Sequence, residues 1–288
     1  MTNSSAVSER RRGARVPLPL VVGGTLVALH VFAAVFGPFL APFEPGQFSA
    51  GQPQSPTSLA HPFGTDSLGR DVLSRVLHAA PVVLSLSILG TFFGVTIGAA
   101  LGLFSAYVGG FVDEVLQRLF EALISIPFIM LALLTIAAAG PENAGQPWLM
   151  SLAIAVVYFP RVGRIARAAA LDIITRDFVL AARLRGESAW SVVRRELLPN
   201  ASGVLLVEFA LRAGYAPVLI GALGFLGLGL KPTIPEWGQM ISENRALFFV
   251  TPMAAIGPAA VLATLVVGLN LLTDGLSRLY GRATNREL

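Results

Sequence analysis

Glu208 and Arg212 are two residues of opposite charge that stand close together inside a long apolar part of this sequence. Because they stand four positions apart, their side chains share one face of a helix and can form an ion pair. Ionisable groups within a long apolar helix are costly unless they face protein or a water-filled cavity. Two interpretations therefore remain open for this pair: contact with a substrate, or a structural tie between helices.

The other reactive side chains form no catalytic or metal-binding pattern. His30, His61 and His78 are dispersed, and cysteine is absent. The sequence has no Gly-x-x-x-x-Gly-Lys-Ser/Thr loop, and Lys231 is its one lysine, so it lacks the lysine-bearing loop that binds nucleotide phosphates. We therefore predict no metal site, no cofactor and no enzymatic activity in this chain. Asp113 lies near a predicted water interface, where a solvated or helix-capping role is expected.

A second candidate site is the arginine-rich element, residues 171–200, which lies between two long apolar runs. We interpret it as two short helices joined at Gly186, where a turn would strain any other residue type, and closed by Pro199. An apolar face beyond the turn is predicted from Trp190, Val193 and Leu197. A plain basic loop would explain the charge but not this amphipathic organisation. The element is therefore expected to contact a soluble partner.

These candidates lie in a sequence with the composition of a membrane protein. Of its 288 residues, 54% are hydrophobic and 13% are charged, whereas soluble domains carry about 25% charged residues. A window of about 19 residues separates six apolar segments, each near the length that crosses a bilayer as a helix. The segments are 19–40, 82–107, 118–139, 148–170, 204–230 and 252–272. The net charge of +4 comes mostly from arginines between these segments, so nucleic acid is not expected as a partner.

The distribution of arginine and lysine predicts how the six segments are oriented. Sixteen of these residues lie on the side of both termini and four on the other side, so the first side should be cytoplasmic. The predicted organisation is a cytoplasmic N-terminal segment (1–18), a first transmembrane helix (19–40), an extracytoplasmic loop (41–80), a membrane core (81–274) and a cytoplasmic tail (275–288). Because the first apolar run is long and lacks a good cleavage site, we interpret it as a retained anchor. A short amphipathic helix at the membrane surface is predicted in the loop from Val72, Leu73 and Val76.

Glycine and proline are placed regularly in two of the segments. Gly90, Gly94, Gly98 and Gly102 recur at every fourth position, which lets another backbone approach one helix face. This pattern predicts tight helix packing, either within one subunit or between subunits. In the fifth segment, Pro217 and four following glycines predict a kinked or interrupted helix of the kind that lines a pathway. The hydrophobic residues among these glycines are candidate gate residues, namely Phe225, Leu226 and Leu228.

The arginine-rich element resembles a known family signature. Ala181-Ala182, then Gly186, then Leu198-Pro199 is similar to the "EAA" signature of binding-protein-dependent ABC importer permeases. Four further blocks resemble the C-type permease subunit of dipeptide, oligopeptide and nickel importers. They are His61-Pro-Phe-Gly-Thr-Asp-Ser-Leu-Gly-Arg-Asp-Val-Leu-Ser-Arg75, Gly109-Gly-Phe-Val-Asp113, Phe225-Leu-Gly-Leu-Gly229 and Pro235-Glu-Trp-Gly238. Two positions depart from the family pattern: Leu180 replaces the signature glutamate, and Gly224 replaces a common serine.

This resemblance implies an all-α polytopic membrane protein of the type I importer permease fold, with one N-terminal helix and a five-helix core. It also implies that residues 180–199 contain a coupling helix seated on a cytoplasmic ATPase, with Trp190 and its apolar neighbours as anchor. The implied coupling residues are Ala181, Ala182, Arg183, Gly186, Glu187, Ser188, Trp190 and Pro199. The implied partners are a homologous second permease, two ATPase subunits that bind ATP and Mg²⁺, an extracytoplasmic solute-binding protein and the lipid of a bacterial cytoplasmic (inner) membrane.

The resulting hypothesis is a permease subunit of an ATP-driven importer that forms half of the translocation pathway. Its candidate pathway residues are Glu208, Arg212, Pro217, Phe225, Leu226 and Leu228. Di- or oligopeptides are the expected cargo, and nickel, opines and small sugars are alternatives. A secondary transporter driven by an ion gradient also remains open, with Glu208 and Arg212 as its ion-coupling groups. A membrane enzyme is disfavoured because the sequence offers no constellation of nucleophile, base and acid, or of metal ligands.

Overall fold

The structure is a computed structural model that describes residues 17–48 and 50–284. Within these residues the chain forms ten α-helices and no β-strand, so the predicted all-α fold is confirmed. They are α1 (Leu18–Leu40), α2 (Val72–Val108), α3 (Gly110–Ser125), α4 (Phe128–Ala138), α5 (Pro147–Ile174), α6 (Asp177–Leu184), α7 (Ala189–Val192), α8 (Leu198–Phe225), α9 (Trp237–Asn244) and α10 (Met253–Thr284). The predicted N-terminal segment lies almost wholly outside the described residues. The described part of the predicted C-terminal tail continues α10.

Five helical runs are long and apolar enough to cross a membrane. They are α1, α2, α5, the run that α7 and α8 form together, and α10. The pair α3 and α4 makes a sixth crossing when the two helices are counted together. These runs correspond in order to the six apolar segments of the sequence.

The third predicted segment, residues 118–139, is not a single straight helix. α3 and α4 are bent by 101° at a short break between Ser125 and Phe128. Ile126 is extended there, with φ −77° and ψ 130°. The ring of Pro127 disfavours the helical conformation for the residue before it. The prediction of one helix is wrong because averaged hydropathy does not register this local restriction.

The short amphipathic helix predicted near residue 72 is instead the beginning of α2. Asp71 caps α2, because its Oδ2 accepts a hydrogen bond of 2.7 Å from the backbone N–H of Ser74. Val72 and Val76 are buried in the main core and do not lie on a membrane surface. α2 therefore begins well before the predicted segment and is 37 residues long.

The central contact of the bundle is between α2 and α5. The four glycines that recur along α2 are buried and all face this partner. A Cβ at Gly90 would come within 2.6 Å of the Cβ of Ile154, and a Cβ at Gly102 would overlap the backbone of Gly163. The glycines thus let the two helices pack closely inside this chain.

α8 runs without interruption through Pro217 and ends at Phe225, so the predicted interruption within it is absent. Its glycines accommodate α9 instead. A Cβ at Gly224 would overlap the carboxylate of Glu236, which precedes α9, and Gly238 of α9 lies against the backbone of Gly221. The glycine content of this segment therefore serves close helix packing.

Pro199 does not close the arginine-rich element, contrary to expectation. α7 continues into α8 through a π turn at Val193–Leu197, in which the backbone N–H of Leu198 donates to the carbonyl of Val193. A proline lacks the N–H that an α-helix needs and its ring crowds the preceding turn. The wider π turn accommodates Pro199, so residues 189–225 form one helical run.

The bundle has two ends that carry different groups. At one end, which we call the basic end, α6 packs beside the end of α2, and the Cζ atom of Arg183 lies 4.7 Å from the ring centroid of Tyr107. At the other, which we call the loop end, residues 41–48 and 50–71 and α9 lie near the beginning of α2. There the Nε1–H of Trp237 donates to the carbonyl of Val76 at 3.1 Å.

Candidate functional site

The arginine-rich element folds as α6, a turn at Gly186, and α7. Gly186 has φ +75°, in the left-handed region that strains residues with a side chain. The backbone N–H of Glu187 donates to the carbonyl of Ala182 at 3.2 Å, and that of Gly186 donates to Arg183 at 2.9 Å. These bonds close the end of α6. An added Cβ at Gly186 would meet no atom within 4 Å, so glycine is favoured here by backbone conformation and not by lack of space.

The inner face of this element is attached to the transmembrane helices. Val179 and Ala182 of α6 are fully buried, and so are Val192 and Leu197 beyond the turn. They belong to one hydrophobic cluster with residues of α2 and α5, among them Leu103, Val162 and Ala166. Apolar packing therefore joins the element directly to the central helix pair.

The outer face carries apolar side chains that the bundle leaves exposed. Leu184 is 81% exposed, Trp190 59% and Leu180 55%. Trp190 therefore does not share an apolar face with Val193 and Leu197 as predicted, and Val192 joins those two residues on the buried face. The reason is helical phase, because Trp190 lies about 200° around the helix from Val192. Contiguous apolar exposure of this kind is typical of a protein–protein contact.

Polar contacts fix the turn between the two faces. The guanidinium of Arg185 lies 2.7 and 3.1 Å from Oε1 of Glu187, and the hydroxyl of Ser191 donates to the same carboxylate at 2.9 Å. The hydrogen bond from Arg185 lowers the pKa of Glu187, and the bond from Ser191 adds to this effect. Ser188 caps α7, because its hydroxyl oxygen accepts from the backbone N–H of Ser191 at 3.3 Å.

The two remaining signature positions, Ala181 and Pro199, are both exposed. Ala181 follows Leu180 on α6 and adds only a methyl group to that surface. Pro199 stands directly after the π turn, at the beginning of α8. Neither residue contributes to the buried inner face.

Glu208 and Arg212 form an ion pair in the structure. Nη2 and Nε of Arg212 lie 2.9 and 3.1 Å from Oε2 of Glu208. The Cζ atom of Arg212 is 5.9 Å from the ring centroid of Tyr158. Arg212 also lines a cavity between α4, α5 and α8. Arg212 therefore both pairs with Glu208 and borders a cavity, so the structural and the solute-binding interpretations of the pair both remain open.

The candidate gate residues do not lie at this cavity. Phe225, Leu226 and Leu228 are exposed near the loop end, where the Cζ atom of Arg245 is 5.8 Å from the ring centroid of Phe225. Along α8, Arg212 and Phe225 are separated by roughly 20 Å at about 1.5 Å per residue. Pro217 is buried between these two regions.

A carboxylate–arginine cluster at the loop end, made of buried Asp66, Arg70 and Arg75 and half-buried Glu243, was not found by sequence reasoning. Oδ2 of Asp66 lies 2.6 Å from Nε of Arg70 and 2.8 Å from Nη1 of Arg75. Oε2 of Glu243 contacts the same two arginines at 3.0 and 2.9 Å. The cluster ties the loop to α2 and α9. Three of its members stand in the His61–Arg75 block, but no local pattern marks Glu243.

Asp113 at the basic end is neither solvated nor a helix cap, contrary to expectation. Its two carboxylate oxygens accept hydrogen bonds of 2.7 and 2.6 Å from Nε and Nη2 of Arg167. This two-point contact joins the beginning of α3 to α5. The partners are far apart in the sequence, so residue spacing could not indicate the pair.

Glu236 is a fully buried carboxylate at the loop end. It caps α9, because its oxygens accept hydrogen bonds of 2.7 and 2.9 Å from the backbone N–H groups of Gly238 and Gln239. Burial raises the pKa of Glu236 to about 7; the two hydrogen bonds oppose this shift, and the charge of Glu243 adds to it. The carboxylate fills the space that Gly224 leaves open, where the family's common serine would place a side chain.

The fold and these sites define a class of protein: a multi-pass helical membrane protein with an arginine-rich element at one end, apolar on its outer face, and charged groups in its bundle. That is the arrangement of a transport component. The family model of the "binding-protein-dependent transport system inner membrane component" matches residues 94–286. This chain therefore belongs to that family.

Relatives with curated descriptions match over most of their length. The chain is 32% identical over 257 residues to the glutathione transport system permease protein GsiD of Pectobacterium atrosepticum, covering 89% of this chain and 84% of the relative. It is 30% identical over 258 residues to the dipeptide transport system permease protein DppC of Alkalihalophilus pseudofirmus, covering 89% and 83%. A solved chain of the inward-facing MetNI methionine ABC transporter gives a TM-score of 0.48 at 22% identity, covering 69% of this chain and 92% of that chain.

Proposed function

We propose that this chain is a permease subunit of an ATP-driven ABC importer and forms half of its translocation pathway. Membership of the family supports the permease role. The observation that carries the coupling mechanism is the two-faced arginine-rich element, whose residues 180–199 expose Leu184 and Trp190 and bury Ala182 and Val192. An ATPase bound to the outer face would move α2 and α5 through the buried inner face.

In this proposal the basic end and both chain termini face the cytoplasm of a bacterial cell. The excess of arginine on that side supports this orientation. Two ATPase subunits bind ATP and Mg²⁺ and contact the arginine-rich element of each permease. A homologous second permease completes the pathway, and an extracytoplasmic solute-binding protein delivers cargo at the loop end. The chain itself contributes no cofactor and no catalytic step.

Leu180, which replaces the signature glutamate, suits an apolar contact with the ATPase. It is exposed one helical turn before Leu184, on the same face of α6. Exposed Arg176 and Arg194 supply positive charge near this surface. We therefore expect the ATPase to offer an apolar groove with acidic residues at its rim.

Short peptides are the proposed cargo. The relatives described above are named as glutathione and dipeptide permeases. Both kinds of compound contain peptide bonds and free carboxylates. A pathway that accommodates these two groups would suit either compound. Nickel and other small solutes are the alternative cargoes. A transport assay with purified components would show whether peptides or one of these solutes is transported.

Substitution of Gly186 tests the coupling role. Gly186→Val strains the left-handed turn by about 1–2 kcal/mol without a steric clash, since no atom lies within 4 Å of the added Cβ. In proteoliposomes that hold the complete transporter, we expect uptake and binding-protein-stimulated ATP hydrolysis to fall about tenfold, the factor that 1.4 kcal/mol represents. Gly186→Asn is the matched control, because asparagine tolerates the left-handed conformation.

Two outcomes would change the proposal. Normal uptake and normal stimulated ATP hydrolysis with Gly186→Val would refute the coupling role of this turn. Uptake that persists without the ATPase subunits and follows an ion gradient would favour a secondary transporter, in which Glu208 and Arg212 couple the ion.

A further inference from the structure

A cavity that is partly open at the surface of this chain is lined by two arginine side chains. Its volume is about 210 Å³, and it lies between α4, α5 and α8. Arg161 stands near the middle of α5 and Arg212 near the middle of α8. At about 1.5 Å per residue, each is roughly 20 Å from either end of its helix. Two tyrosines, Tyr158 and Tyr215, complete the polar part of the lining.

The charges at this cavity do not balance. Arg212 is paired with Glu208. Arg161 has no carboxylate within 4.0 Å among the residues that the structure describes. Two guanidinium groups therefore face one carboxylate, and one positive charge is left without a protein counter-ion in this chain.

This positive charge is not neutralised within the described part of the chain. Arg161 is only half-buried, and a charged side chain in a membrane bundle is costly unless it meets an opposite charge or a water-filled cavity. Arg161 therefore needs an anion that enters the cavity, or an acidic side chain from a neighbouring subunit.

The other lining residues indicate which anion fits. Guanidinium groups bind carboxylates through two parallel hydrogen bonds, and tyrosine hydroxyls can donate further ones. Phe128, Val218 and Leu219 supply apolar walls. The volume is below the roughly 300 Å³ of a site that encloses a whole small molecule. The cavity therefore suits one end of a solute: a carboxylate with an apolar side chain next to it.

We propose that this cavity binds the terminal carboxylate of the transported peptide during its passage. Arg161 is the main anion ligand, Arg212 is the second, and Glu208 positions Arg212. This inference rests on the proposed import function. It specifies which part of the cargo this subunit recognises. It makes Arg161, absent from the sequence-based candidates, a specificity-determining residue.

The test compares Arg161→Gln with Arg164→Gln in the complete transporter. Arg164 is exposed on the same helix and does not line the cavity, so its variant controls for the loss of an arginine from α5. The first measurement is uptake of radiolabelled dialanine by proteoliposomes with saturating binding protein. We expect a loss of about tenfold or more for Arg161→Gln, the effect of removing a hydrogen bond to a charged group. Arg161→Lys should retain part of the rate, and Arg164→Gln nearly all of it.

The second measurement is direct binding to the detergent-solubilised transporter without binding protein. Saturation-transfer NMR would compare dialanine with dialanine amide, which lacks the free carboxylate. We expect the wild type to bind dialanine more tightly than the amide, and Arg161→Gln to lose that preference. Stimulated ATP hydrolysis should remain, because Arg161 takes no part in the hydrophobic cluster that attaches the arginine-rich element to α5.

Three results would overturn the proposal. One is wild-type uptake by Arg161→Gln, and another is equal loss of binding for dialanine and its amide. The third is loss of the second permease from the purified Arg161→Gln complex, which would make Arg161 an inter-subunit ion-pair partner. None of these results would contradict the proposed import function. That function would be refuted if the wild-type transporter showed no ATP-dependent uptake of any solute.

Discussion

The two ends of this molecule use charged side chains in opposite ways. At the loop end, Asp66, Arg70 and Arg75 are buried and share their hydrogen bonds. At the basic end, Arg185 and Glu187 pair on a surface. A buried pair that loses one partner leaves an uncompensated charge, whereas exposed pairs contribute little to stability. The comparison indicates a fixed frame at the loop end, and it supports the proposal that the arginine-rich element at the basic end is an adjustable surface.

The largest effect is expected from Asp66→Asn, which leaves two buried arginines with less negative charge. Removing one partner of a buried ion pair costs about 3–5 kcal/mol, so the melting temperature of the detergent-solubilised transporter should fall sharply. Glu114→Gln is the control, because it breaks the exposed pair with Arg118, and its cost should stay below about 1 kcal/mol. Equal melting temperatures for the two variants would remove the basis for a fixed frame.

The pH dependence of stability gives the next largest effect. The folded-state pKa of Glu236, about 7, lies above its ordinary value of 4.5, so the folded state holds this proton more tightly than the unfolded state does. Glu236 therefore contributes stability that is full below pH 4.5 and is lost as the pH rises to about 7. The loss is up to about 3 kcal/mol.

Glu236→Gln should remove that slope, measured as the melting temperature between about pH 5 and pH 8. Glu187→Gln at the basic end is the matched control. Arg185 lowers the pKa of Glu187, so this residue titrates below the tested range and its removal should not change the slope. An unchanged slope in Glu236→Gln would show that other groups set the pH dependence of the loop end.

The smallest effect on stability, with a clear effect on assembly, is expected from Leu184→Ser. Leu184 is 81% exposed, so the free energy of unfolding should change by less than about 0.5 kcal/mol. Its loss should nevertheless weaken co-purification with the ATPase subunits. Leu59→Ser is the control at the loop end, where this leucine is fully exposed, and should affect neither quantity. Equal co-purification for both variants would contradict a docking surface at the basic end.

Local patterns were sufficient to predict much of the fold. The apolar segments indicated the long helices, with α1 (Leu18–Leu40) found almost to the residue. The spacing of four between Glu208 and Arg212 indicated their ion pair, and the same spacing of glycines along α2 indicated a close helix contact. These features depend on helical periodicity alone, which a single sequence contains.

Other features depend on helical phase or on contacts between distant residues. Trp190 lies about 200° around the helix from the buried Val192, so the apolar spacing placed Trp190 on the wrong face. Glu243 meets Arg70 across 173 positions, and Arg167 meets Asp113 across 54. Arg161 could be identified as a candidate site residue only from the folded bundle, in which it lines the same cavity as Arg212. A single sequence does not contain such pairings in any local pattern.

The π turn at Val193–Leu197 also has a consequence for torsion. It holds one residue more per turn than an α-helix, and each residue of an α-helix spans about 100° around the axis. Rewinding this turn to an α-helix would rotate the outer face of α7 about the axis of α8 by roughly that angle. Because residues 189–225 form one helical run, a twist applied at Trp190 would be transmitted along that run to Arg212. In the proposed mechanism, winding as well as tilting would therefore connect the outer face of the arginine-rich element to the charged cavity.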